Sequence, residues 1–165
     1  MSIILSQEIV NFINSESTHK MLATVSPIGE PHLVYKKNMF YEDGKIVYLE
    51  LLESSISNKN MIYSLWFEKK IAVNFFNENG ISIQIKGVPV KAVVAGPIFE
   101  KYYNALQQED PDYDLSTVYY IEICDVIDET YSVRRMEQSV KHPLYIHIDR
   151  LAKLDNMKGN INKCE

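Results

Sequence analysis

The sequence predicts a mainly β fold with flanking helices, a small barrel rather than an alternating βαβ sheet. Three observations carry this. Six or seven short runs of strand character follow one another between tight turn signals. Only two or three segments have helical periodicity. The length of 165 residues suits one domain. A hydrophobic share of 46% and a charged share of 24% lie at the globular average, which excludes global disorder. No run of eighteen apolar residues occurs, so no membrane-spanning helix is expected. The net charge of -5 disfavours nucleic acid or an anionic membrane as the main partner. Cys124 and Cys164 are too few for a disulfide scaffold or a structural zinc site, and they fit a reducing, cytoplasmic setting. The first ten residues carry Glu8 and no basic stretch, so no secretory signal is read there.

The elements follow in order. Ser6 to Asn14 reads as a short helix, with Ser6 as N-cap, Glu8 in the first turn, and Ile9, Val10 and Ile13 on one face. Met21 to Val25 is a strand, and Ser26-Pro27-Ile28-Gly29 turns the chain. Pro31 to Tyr41 reads as one long strand. Glu42-Asp43-Gly44 is a hairpin signal before a β-branched and aromatic strand from Lys45 to Leu51. From Ser57 to Phe67 the period changes to helical, with Met61, Ile62, Leu65 and Trp66 on one face. Lys70 to Phe76 and Ile81 to Ala95 return to strand, and Gly87 and Pro89 mark a bulge or an edge in the second. Gly96-Pro97 opens a helix to about Gln108. Thr117 to Val126, Thr130 to Val133 and Leu144 to Ile148 read as further strands. Residues 1–149 form the expected domain, and 150–165 a polar tail.

No self-sufficient enzyme signature is present: no nucleophile elbow, no phosphate loop of the Walker type, no zincin motif. His142 and His147 lack a third ligand for a metal. The eleven tyrosines and six phenylalanines suit core and interface packing, since stacking platforms for bases would need a basic groove. One stretch invites more. Ser54, Ser55, Ser57, Asn58, Lys59 and Asn60 lie where a loop meets a helix start, and free amides, hydroxyls and a lysine together are what a phosphate requires. The same residues suit a plain N-cap at Ser57 or Asn58 with a solvated lysine beside it. Tyr35-Lys36-Lys37-Asn38 adds a polar strand segment that can offer side chains and backbone to a flat ring, or simply a solvated face.

The run Leu22-Ala23-Thr24-Val25-Ser26-Pro27-Ile28-Gly29-Glu30-Pro31-His32-Leu33-Val34 resembles the opening hairpin of the pyridoxamine 5'-phosphate oxidase-like family, the FMN-binding split barrels. The order that follows, from Glu42-Asp43-Gly44 to the helix opened by Gly96-Pro97, is similar as well, over roughly Glu8 to Val133. The small FMN-binding proteins of that group are the nearest in pattern. The resemblance implies a six-stranded antiparallel split β-barrel, a homodimer, and FMN at the subunit interface. By position it implies Tyr35, Lys36, Lys37 and Asn38 along the flavin, and Tyr48, Leu49 and Glu50 approaching it. Ser57, Asn58 and Lys59 would hold the phosphate, with Ser82 and Gln84 reaching in from the second subunit. The expectation is therefore a flavin-dependent oxidoreductase with a small-molecule substrate or electron donor. The alternative is a non-catalytic flavin or haem binding module of the same fold. Leu33 and Val34 stand where the vitamin B6 oxidases carry an arginine, and Asn58 where an arginine often precedes the lysine. Both departures argue against pyridoxamine phosphate oxidation.

Overall fold

The computed structural model describes residues 3–145. Met1–Glu129 form one compact unit, and a second begins at Thr130. The first unit contains three helices and seven strands among its described residues. They are α1 (Gln7–Asn14), β1 (His19–Val25), β2 (Pro31–Tyr35), β3 (Met39–Glu42), β4 (Lys45–Glu50), α2 (Ile56–Trp66), β5 (Ile71–Phe76), β6 (Ser82–Val93), α3 (Pro97–Glu109) and β7 (Thr117–Asp128). All pairings are antiparallel, in the order β2-β1-β5-β6-β7-β4-β3.

That order forces the sheet to curl. Seven strands laid flat would separate the edge strands β2 and β3 by roughly 29 Å, at about 4.8 Å per strand. Yet only residues 36–38 join Tyr35 to Met39, a span of at most about 14 Å. The sheet curls until its two edge strands come within that reach, and residues 36–38 bridge them. The Lys36 amide donates to the Lys20 carbonyl beside β2, and the Leu49 amide donates to the Asn38 carbonyl beside β3, both at 2.9 Å. Here the structure departs from the sequence reading. The single strand expected over Pro31 to Tyr41 is two strands serving opposite edges, which makes seven strands rather than six.

The split lies in β6 and β7. The β5 ladder ends at the Ile71 to Gly87 pair, while β7 accompanies β6 as far as Val93 and passes its own first half to β4. Register shifts at Lys86/Gly87 and Pro89/Lys91 bend the strand as expected. Pro89 is tolerated because β6 has lost its β5 neighbour by then. Gly87 is needed for room, since a Cβ there would stand 2.6 Å from both the Glu122 carbonyl oxygen and Ile121 Cγ2.

Inward residues of alternating strands fill the barrel, among them Leu22, Ile46, Tyr48, Val73, Phe75, Ile85, Tyr119 and Ile121, with Met61 entering from α2. A second cluster beneath α3 joins Val47, Leu49 and Val118 to Tyr102 and Leu106. β4 is consequently covered on both faces. Ser6 caps α1 as expected. At the other end of α1, Asn14 Nδ2 donates to the Tyr41 carbonyl at 3.1 Å, and its Oδ1 accepts from the Tyr41 amide at 2.8 Å.

In the second unit, α4 (Tyr131–Lys141) replaces the strand expected at Thr130 to Val133. Two β-branched residues suggested a strand. The run of helix-forming residues from Arg134 to Gln138 outweighs them, supported by Glu137 contacts to Arg134 at 2.7 Å and Lys141 at 3.9 Å. The strand expected at Leu144 to Ile148 and the tail at 150–165 lie largely or wholly outside the described residues.

Candidate functional site

The alternation of β2 sorts its residues. His32, Val34 and Lys36 are half-buried, whereas Leu33, Tyr35 and Lys37 are exposed. Lys36 therefore points toward the end of β4, where Glu50 is fully buried. Its Nζ donates to Glu50 Oε1 at 3.0 Å and Oε2 at 3.3 Å. The Leu52 amide donates to the same Oε1 at 3.1 Å, and the Tyr48 hydroxyl donates to Oε2. A buried carboxylate with this many donors is compensated. Burial first, and then the neighbouring Glu50, push the Tyr48 hydroxyl far above the usual tyrosine range. Burial and the Glu50 charge do the same to Tyr119, whose ring stacks 5.9 Å from that of Tyr48. Both phenols stay protonated and act as donors.

The loop after β4 leads into α2, and its first turn abuts this network. The N-cap is Ser55, whose Oγ accepts from the Asn58 amide at 2.9 Å. The cap thus falls two or three residues before the positions read from the sequence. Asn58 is buried and its side chain is engaged at both ends: Nδ2 donates to the Glu53 carbonyl at 2.9 Å, and Oδ1 accepts from the Tyr119 hydroxyl at 2.6 Å. Ser57 is buried, with its Oγ 3.2 Å from His32 Nε2 and within reach of the Tyr48 hydroxyl. Lys59 is exposed and enters none of the ion pairs among the described residues.

Six of the twelve expected residues line one open cleft of about 410 Å³: Tyr35, Lys36, Lys37, Asn38, Leu49 and Glu50. Leu51, Leu52, Tyr113 and the acidic Asp112 and Asp114 complete its wall. Tyr48, Ser57 and Asn58 stand behind it in the hydrogen-bonded network. Ser82 and Gln84 do not join them. They lie on the face of β6 opposite the buried Ile83 and Ile85, next to Asn74, which accepts from Ser82 Oγ at 3.1 Å. Sequence reasoning passed over two members of the site. Tyr119 was read as packing, although its place in an alternating strand beside Tyr120 could have marked one ring as inward. His32 carries no signal of its own in the sequence, and only the docking of α2 on β2 gives it Ser57.

The sequence matches no family model and no curated protein. Solved structures do match. HupZ of Group A Streptococcus is 20% identical, with a TM-score of 0.63 over 78% of this chain and 96% of that one. An FMN-binding protein of Syntrophomonas wolfei is 14% identical, with a TM-score of 0.59 over 73% and 82%. The haem storage protein HutZ of Vibrio cholerae is 13% identical, with a TM-score of 0.52 over 76% and 95%. The chain is a split barrel of the kind found in pyridoxamine 5'-phosphate oxidase-like proteins, which stand among the same neighbours. The resemblance read from its hairpins is borne out at the level of the fold.

Proposed function

We propose that the chain is an FMN-binding flavoprotein, working as an oxidoreductase on a small molecule. The observation that carries the reading is convergence: Tyr35 to Asn38 and Leu49 to Glu50, separate in sequence, line one cleft of ligand size. The residues fit the two ends of the cofactor differently. A neutral ring suits the cleft, where Tyr35 offers an aromatic wall and Asp112 and Asp114 would repel a phosphate. The phosphate suits the start of α2, with exposed Lys59, the first-turn amides of Ile56 and Ser57, and the macrodipole. Asn58 serves there by pinning the turn through Tyr119 and Glu53. Bound FMN would supply the redox chemistry, and the protein supplies position and hydrogen bonds to the ring edge. Lys36, held by Glu50 and 18% exposed, is the cleft's fixed cationic donor.

In this reading a second copy provides the other wall through Ser82 and Gln84. Exposed Trp66, Phe67, Ile28 and Leu33 supply apolar surface for such an association. The test is titration of the apo-protein with FMN and with riboflavin, followed in the visible spectrum. FMN is expected to bind more tightly and to give two flavin bands. Equal affinity for the two removes the phosphate site. A Soret band after incubation with haem, with no uptake of FMN, would replace this reading by haem binding.

A further inference from the structure

A second open cleft, of about 770 Å³, adjoins the first and is walled by the end of α1, the start of β3 and the face of α3. Its floor contains Lys20, which is 9% exposed. Lys20 Nζ donates to the Met39 carbonyl at 2.6 Å, and among the described residues no carboxylate pairs with it. The acidic neighbours in the cleft are taken: Glu42 by Lys101 and Tyr102, and Glu109 by Lys37. Glu16, at the rim, is exposed. A buried ammonium without a counter-ion is costly, and the group relieves that cost by losing its proton. Burial first, and then the nearby Lys37 cation, hold Lys20 below the usual lysine range. A desolvated lysine beside a second cation is the arrangement that makes an amine nucleophilic at neutral pH.

We propose that Lys20 is a reactive amine that condenses with small aldehydes entering this second cleft. The Nζ lone pair adds to the carbonyl carbon, the carbonyl oxygen leaves as water with both amine protons, and a C=N bond forms. No oxidant or reductant is consumed. One Nζ hydrogen bond to Met39 orients the amine before attack. Met39, Phe40, Leu49 and Leu106 contribute apolar lining to the same cleft.

The test is trapping with benzaldehyde and sodium cyanoborohydride at pH 7, followed by peptide mapping. Lys20 is expected to be benzylated faster than exposed Lys70, because a lowered pKa raises the neutral amine fraction. Lys37→Gln removes the neighbouring cation and should slow Lys20 labelling at pH 7 while leaving Lys70 unchanged. Lys20→Met should abolish the label at that site. Labelling of Lys20 no faster than Lys70, or indifferent to Lys37→Gln, overturns the proposal.

Discussion

Single residues divide here between those that build the site and those that would bind. Glu50 and Asn58 are saturated with protein partners, so changing them would disturb the fold as well as any ligand. Lys59 is the opposite case. A charge-assisted bond from its ammonium to a phosphate contributes about 1.5–3 kcal/mol. Lys59→Ala should therefore weaken FMN roughly ten- to a hundred-fold, as measured by fluorescence titration. Melting of the apo-protein should stay in place, since an exposed, unpaired lysine carries little stability. A lowered apo melting temperature with unchanged affinity would mark Lys59 as structural. The sequence exposed these residues unequally. Ser57, Asn58 and Lys59 stood out because hydroxyl, amide and amine cluster at a helix start. Glu50 was marked only by the family resemblance, and its compensation by Lys36 and Tyr48 depends on curvature that no local pattern records.

Elements were legible where local periodicity and final environment agree. The helix around Met61 and the turns at Gly29 and Gly44 survive in the structure, but the apolar face read for that helix does not: α2 buries Met61 beside Ser57, Asn60 and Ser64, while Ile62 and Trp66 are exposed. Pro31 to Tyr41 was misread because its residues suit a strand throughout. The break at residues 36–38 comes from barrel closure, not from a turn residue. α4 was misread because two β-branched residues outvoted a longer helical run. Gly87 is an element-scale device that the sequence did announce, since glycine inside a strand signals a close approach. Its backbone lies where the β6 bulge presses on β7, so Gly87→Ala forces Glu122 and Ile121 to move. Overpacking of this kind costs about 1–3 kcal/mol, and urea unfolding should show the midpoint falling with little change in slope. A midpoint equal to that of the parent protein would mean that the bend yields freely.

For the whole molecule the decisive quantity is the number of chains that make one binding site. Ser82 and Gln84 lie away from the cleft in a single chain, so their proposed role requires a partner. An obligate interface would bury on the order of 2,000 Å² or more. Sedimentation at micromolar concentration, with and without FMN, should give a dimer, and FMN should strengthen association by the factor by which association strengthens FMN binding. A monomer that binds FMN tightly would confine the site to one chain and remove Ser82 and Gln84 from it. The Asn14 side chain has a consequence of another kind. By donating to and accepting from Tyr41, it imitates the peptide group of an eighth strand at the outer margin of β3. A sheet margin with unsatisfied backbone groups is a template for growth by stray chains. Asn14 satisfies both backbone groups of Tyr41 at that margin, so one side chain closes this stretch of the edge to a pairing strand while tying down the first helix.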